Sequence, residues 1–149
     1  MYGKGIFEWL TLDMAIFVVL NIILIATYGD ALSHLRDLTI LEFLVLGLAA
    51  YRAANVLSTE VITKPLRSPF VDEVQAEDGK VVEKPKPAGF MGSIGLLIYC
   101  PSCTGVWIAA VFTYGFVFWP TATFTVALFF AFSGMERIIS TTLARLRGS

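Results

Sequence analysis

Apolar residues in this chain gather into four long blocks: Leu12 to Tyr28, Leu38 to Leu57, Thr104 to Trp119 and Thr121 to Ile139. Crossing a hydrocarbon layer of about 30 Å takes about 20 apolar residues in a helix, because lipid offers no partner to unpaired backbone groups. Each block reaches or approaches that length. The first has Asp13 at its edge and Asn21 as its only central polar residue, and the second is interrupted by Glu42 and Arg52. Only Pro120 separates the last two, so they must make a tight helical hairpin. Proline lacks a donor and disfavours the helical region for Trp119, which suits a stop and restart. Four such blocks in 149 residues leave too little polar surface to enclose them in water. The pattern predicts an all-α polytopic membrane protein, a single membrane domain over residues 1–149 with four transmembrane helices.

The polar stretches divide the rest. Residues 58–90 form the one sizeable polar loop, opening with Thr59-Glu60-Val61-Ile62-Thr63-Lys64-Pro65-Leu66-Arg67. There Val61, Ile62 and Leu66 could lie on the membrane surface while Lys64 and Arg67 meet lipid phosphates. Further along, Asp78-Gly79 is a turn signal between two short valine-bearing pieces. Since an isolated hairpin is marginal in water, a mobile loop is expected here. Residues 89–99 carry Gly89, Gly92 and Gly95 along one helical face, of the kind that allows close helix association, but are too short to span. They predict an interfacial or re-entrant helix leading into Cys100. Trp9, Tyr28, Tyr99, Trp107 and Trp119 fall near the span ends, as an interfacial aromatic belt would place them.

Apolar residues make up 56% of the chain, above the roughly 45–50% of soluble domains. A net charge of −1 gives no basic field for nucleic acid. The placement of the charges is more informative. Lys64, Arg67, Lys80, Lys84 and Lys86 lie in the long loop and Arg145 and Arg147 in the tail, whereas the loop between the first two blocks has only Arg36. Positive residues are retained inside, so the loop and both termini, with Lys4 at the first, are expected to be cytoplasmic in the inner membrane. The first block lacks a small-residue cleavage pattern and should remain as a span.

Cys100-Pro101-Ser102-Cys103 contains the only two cysteines, at the mouth of the third block. Its spacing resembles the active-site element of thioredoxin-like proteins, and a thiolate at a helix N-terminus is stabilised by the dipole and free N–H groups. Around it, however, there is no alternating strand and helix pattern. In a reducing cytoplasm the pair is not expected to form a standing structural disulfide. Zinc would need four ligands, and the sole histidine, His34, falls on the opposite side. A zinc site would therefore require a second chain, or Glu60 or Asp72 as a further ligand. The bland alternative is two small, partly buried residues in a tight turn. Near the inner boundary, Arg52 and Glu136 are expected to pair or to share a polar pocket with Asn55, with separate snorkelling as the alternative. No phosphate loop, catalytic triad or metalloprotease pattern occurs, and no catalytic residue, cofactor or small-molecule substrate is predicted.

The order Ala50-Tyr51-Arg52-Ala53-Ala54-Asn55 through Ile62, then Pro65-Leu66-Arg67, then Gly95 through Cys100-Pro101-Ser102-Cys103-Thr104-Gly105-Val106-Trp107 resembles a bacterial and phage membrane family. It is catalogued as domain of unknown function 1360 and includes a sporulation-associated membrane protein. The resemblance covers roughly Leu41 to Ile139 as a three-span core and places Arg52, Glu60, Pro65, Arg67, Cys100, Cys103, Gly105 and Trp107 at signature positions. It implies no activity. This chain adds the first span and lengthens the loop between Phe70 and Ala88. The function expected is a non-enzymatic membrane component or adaptor with a cytoplasmic working face, acting in the bilayer with a protein partner or a second copy. The alternatives are a thiol-redox or metal-binding protein using Cys100 and Cys103, and a phage-type hole-forming protein.

Overall fold

The structure, a computed structural model, describes residues 4–75, 79, 81–87 and 89–148, without the side chains of residues 4–7 and 34. Asp78 of the expected turn, Lys80, and the side chains of Lys4 and His34 lie outside the described residues. Long helices form where the sequence is apolar: α1 (Lys4–Leu32), α2 (Ile40–Thr59), α5 (Pro101–Phe118) and α6 (Pro120–Leu146). All four are long and apolar enough to cross a membrane. Large apolar side chains such as Ile22, Phe43, Val111 and Phe129 lie 60–71% exposed on them, a costly arrangement in water and the expected one against lipid. The protein is a polytopic, almost entirely helical membrane protein. Between α2 and α5 lie a 3₁₀ turn (Val61–Thr63), α3 (Lys64–Arg67), the strands β1 (Val71–Gln75) and β2 (Val81–Pro85), and α4 (Gly89–Tyr99).

Helix ends depart from the apolar blocks for local reasons. Non-helical backbone at Tyr28 (φ −122°, ψ 26°) kinks α1 where the first block ends. Thr39 and Glu42 start α2 by a reciprocal cap. The Thr39 amide and hydroxyl donate to the Glu42 carboxylate at 2.9 and 2.8 Å, and the Glu42 amide donates to Thr39 Oγ1 at 3.2 Å. Glu42 is thus the capping residue of the first turn of α2. Helix α5 begins at Pro101, three residues before the block, so Cys-Pro-Ser-Cys is its cap and first turn rather than a turn ahead of it. The 27 residues of α6 run to about 40 Å at 1.5 Å each, beyond the hydrocarbon thickness, and carry its C-terminal turns out of the apolar layer.

The chain divides into two compact units. Tyr28–Ala54 with Gly105–Ser149 forms one, with a core of Ala49, Ala50, Phe112 and Ala127. Its close packing comes from small residues. Ala127, Ala131 and Gly134 recur at helical spacing on α6, and a Cβ on Gly134 would stand 3.2 Å from Leu48 and 3.3 Å from Arg52 Cβ on α2. Without a hydrophobic drive between helices in lipid, such small faces let backbones approach and gain dispersion contacts. At the α5–α6 turn Gly115 faces Thr123, and Phe112–Phe130 and Phe116–Phe124 pack edge to face.

The other unit, Met1–Thr27 with Asn55–Thr104, contains the polar segment. In it Trp9 of α1 packs edge-on against Phe90 of α4, with ring centres 5.8 Å apart. One turn on, Asp13 is buried, and its Oδ2 has no hydrogen-bond partner among the described residues. Asn21 meets its expected need locally, donating from Nδ2 to the Phe17 carbonyl at 2.8 Å.

The α2 cap yields a direct test. Thr39→Val and Glu42→Leu should each lower the unfolding temperature, and the double variant by little more than either. Thermal unfolding in detergent measures this, and fully additive losses would mean that the two residues do not act as one cap.

Candidate functional site

The polar segment is built around one arginine. Helix α2 ends at Thr59, leaving its final carbonyls without helical partners. Pro65 pre-sets the single turn of α3, which brings Arg67 back toward that end. There Arg67 Nη1 donates to the carbonyls of Leu57 at 3.1 Å and Glu60 at 2.8 Å and to Thr63 Oγ1 at 2.7 Å. Thr63 Oγ1 in turn lies on the Val56 carbonyl. The positive charge also complements the C-terminal end of the helix dipole.

The other side of the same guanidinium holds the hairpin. Nε donates to Glu83 Oε2 at 3.0 Å and Nη2 to Glu83 Oε1 at 3.3 Å, a forked pair with the Arg67 side chain 5% exposed. The two strands are antiparallel, with Val71 opposite Pro85 and Glu73 opposite Glu83. Like charges directly across a ladder repel. Here each has its own cation from α3: Arg67 on Glu83, and Lys64 on Glu73 at 2.6 Å. Glu73 also raises the Lys64 pKa above the ordinary lysine value, chiefly by accepting its hydrogen bond. Strand parity puts Val71, Glu73, Glu83 and Pro85 on one face, whose Val71 and Pro85 are buried, while Asp72 and Lys84 point to solvent.

Helix α4 completes the unit. A Cβ on Gly95 would run into the carbonyl oxygen of Phe70, and Pro85 Cα lies 3.5 Å away. The same Phe70 carbonyl accepts the Lys86 amide at 3.2 Å, and the Phe70 amide donates to the Arg67 carbonyl at 2.8 Å. Gly92, Ser93 and Gly95 are buried.

Three expectations change with this geometry. The segment is a folded hairpin rather than a mobile loop, because an ion pair and a helix supply what an isolated hairpin lacks. Arg67 is 4% exposed and committed to protein partners, so it does not meet lipid phosphate, whereas Val61, Ile62 and Leu66 are 80%, 82% and 65% exposed. Of the three glycines expected on one face of α4, Gly95 seats the Phe70 backbone, whereas Gly89, at φ +76°, has nothing within 4 Å. Glu83 and Thr63 were not singled out from sequence; the only signal for Glu83 was an acidic residue on a strand facing an arginine-bearing turn.

At the α4–α5 joint Cys100 and Cys103 are joined by a disulfide, contrary to expectation, with Cα atoms 5.3 Å apart. Cys100 caps α5, and its Sγ accepts the Cys103 amide at 3.3 Å. Thr104 fixes the joint, its amide donating to the Cys100 carbonyl at 3.0 Å and its hydroxyl to the Leu97 carbonyl at 2.8 Å. Paired sulfurs present no thiolate to zinc, and no cluster of three or more His, Cys, Asp or Glu is disposed to hold a metal among the described residues.

The remaining positions are more scattered. Arg52 Nε donates to Ser133 Oγ on α6 at 2.9 Å; Glu136 lies one turn further on and is exposed. Asn55 is half-buried near the end of α2. Gly105 has room for a methyl group, the nearest contact being Ala54 Cβ at 3.8 Å, and Trp107 is half-buried on the same helix.

Breaking the arginine clamp should be costly. Arg67→Leu leaves a half-buried carboxylate and helix carbonyls unpaired, for a loss of about 3 kcal/mol, the low end for a buried pair, and Arg67→Lys should recover only part because it lacks the fork. Limited proteolysis of residues 71–85 in membranes reads this directly; wild-type resistance in Arg67→Leu would show that the hairpin is held otherwise. A parallel test is Gly95→Ala, which forces a methyl group against a carbonyl at a cost of about 1–3 kcal/mol, whereas Gly47→Ala, with nothing within 4 Å, should be silent in the same assay.

Comparison with known proteins places this architecture. A family model described as "Protein of unknown function (DUF1360)" matches residues 45–143, from within α2 to the last turns of α6, leaving α1 outside. The UPF0713 protein YngL of Bacillus subtilis is 32% identical over 108 residues, covering 71% of this chain and 81% of that protein. Sporulation protein YjcA of the same bacterium is 32% identical over 109 residues, covering 70% of this chain and 92% of the relative. No solved structure matches. The Arg67 clamp, the hairpin and the Cys100–Cys103 joint all lie inside the matched span, and the chain belongs to the DUF1360 family.

Proposed function

We propose that this protein is a non-enzymatic component of the bacterial inner membrane that presents its clamped hairpin unit, on the cytoplasmic side, to a protein partner or a second copy. The arginine clamp carries the reading. A buried guanidinium ties the end of a spanning helix to a polar hairpin, which makes a fixed surface rather than a cleft. That surface shows Asp72, Gln75, Val81 and Lys84 to solvent. The distribution of Lys and Arg supports the orientation, with the hairpin unit and both termini inside. Since YjcA is called a sporulation protein, a part in sporulation is the corresponding role where the host forms spores.

Complementation of a host lacking the gene tests the reading. Charge reversals on the exposed face, Asp72→Arg and Lys84→Glu, should cut complementation at least about tenfold while the protein accumulates normally and the hairpin stays protease-resistant. Full complementation by a stably accumulated double reversal would show that the face is not what the protein presents.

A further inference from the structure

We infer that the Cys100–Cys103 pair is a thiol–disulfide exchange site for a protein dithiol, with Cys103 the sulfur attacked and Cys100 the sulfur released. The inference does not rest on the presentation role proposed above.

The first ground is that the bond is redundant as a staple. It links residues three apart, so the loop it closes is short and the stabilisation from constraining the unfolded chain is near its minimum. The joint is already held by the Cys100 amide on the Leu97 carbonyl, at 3.3 Å, and by both hydrogen bonds of buried Thr104. The second is access. Ser102 and Cys103 are exposed and Cys100 is half-buried, on a joint flanked by Tyr99 at 51% exposure. The third is that the two sulfurs are not equivalent. Cys100 Sγ caps α5 and already accepts the Cys103 amide at 3.3 Å, a hydrogen bond that strengthens when the acceptor becomes an anion. The dipole of α5 favours negative charge at the same place. Exchange is faster when the leaving sulfur is the better-stabilised thiolate and the attacked sulfur is the accessible one, and here those criteria select different cysteines.

The chemistry balances without any other reagent. A thiolate of the partner dithiol attacks Cys103 Sγ, a partner–Cys103 bond forms, and the Cys100–Cys103 bond breaks with its electron pair passing to Cys100. The partner's second thiolate then attacks the partner sulfur of the mixed disulfide. That step closes the partner's own disulfide and expels Cys103 as a thiolate, which takes up a proton. The partner loses two electrons and its two thiol protons; the protein is reduced by two electrons to the dithiol, with Cys100 held as thiolate under the helix cap. Read in reverse, Cys103 of the reduced protein attacks the partner's disulfide, and Cys100 then attacks Cys103 Sγ, re-forming the Cys100–Cys103 bond and releasing the partner dithiol.

The test uses the full chain in membrane vesicles. Wild-type protein is equilibrated with dithiothreitol as the dithiol, quenched with acid and counted for free thiols by maleimide mass tagging, while limited proteolysis follows the hairpin. Expected is complete reduction of the native protein with hairpin protection unchanged. Reduction seen only after the protein is unfolded by detergent would mark a structural bond and overturn the inference. Iodoacetamide kinetics then assign the roles in single variants. At pH 7, Cys100 in Cys103→Ser should alkylate at least about tenfold faster than Cys103 in Cys100→Ser, the advantage shrinking as the pH rises past the free-thiol value of about 8.5. Equal rates, or a faster Cys103, would overturn the assignment. If the serine variants fail to accumulate, the wild-type titration still decides whether the pair exchanges. In the complementation assay above, loss with Cys100→Ser alone and loss with the surface reversals alone separate the two proposals.

Discussion

A helix that leaves a bilayer must dispose of its last carbonyls, and the way α2 does so governs the fold of the segment that follows. Arg67 takes the carbonyls of Leu57 and Glu60 while its remaining donors take both oxygens of Glu83. One charge answers three demands: the orphaned carbonyls, the negative end of the helix dipole, and a half-buried carboxylate. Without it, Glu73 and Glu83 would face each other across the ladder with one cation between them. A lysine in its place could neutralise charge but could not span two directions with a planar fork.

The consequences pass along the chain in order. With α3 fixed, Phe70 leaves it at a set angle, and its carbonyl enters the space that Gly95 leaves open on α4. That contact seats α4 against β2, and α4 ends at Tyr99, where Cys100 turns the chain into α5. Pro101 provides the first helical position without wasting a donor, and Cys100 supplies the cap. The geometry of the cysteine pair is thus set at the far end of a rigid series that begins at an arginine thirty-three residues earlier.

What could be read from the residues alone follows the range of the interactions concerned. The spans were legible because apolar length is a local property, and lipid imposes the same demand on every residue of a helix. The cap of α2 was also within reach, since Thr39-Ile40-Leu41-Glu42 carries the S/T-x-x-E pattern before an apolar run. The stripe Ala127, Ala131, Gly134 shows the helical spacing of a packing face, but its spacing does not say which helix it meets. The hairpin was legible only as a turn signal between two valine-bearing pieces, and its stability and register were hidden for a different reason. Its strands are weak, its turn signal at Asp78-Gly79 would set Glu73 opposite Lys84 in a two-residue loop, and the actual register places Glu73 opposite Glu83. In that register the cations of α3 pair both glutamates, and they are tertiary partners that no local pattern displays. Gly95 was legible as part of a close-approach face with Gly89 and Gly92, while the identity of what approaches it, a turn carbonyl, was not, and nothing lies within 4 Å of Gly89.

The same distinction bears on the cysteines. A Cys-x-x-Cys spacing marks two sulfurs that can meet, but spacing alone treats them as equals. Placement makes them unequal: one lies at the helix cap under an amide, and the other is exposed a turn later. For a merely structural crosslink that inequality would be irrelevant, because a bond that only holds a joint gains nothing from stabilising one of its sulfurs as an anion. For exchange it decides direction, since the sulfur that best carries negative charge is the one to expel. The clamp and the joint therefore divide the work of this unit between them. Arg67 makes its shape independent of the disulfide, and a joint whose shape does not need the bond is free to break it.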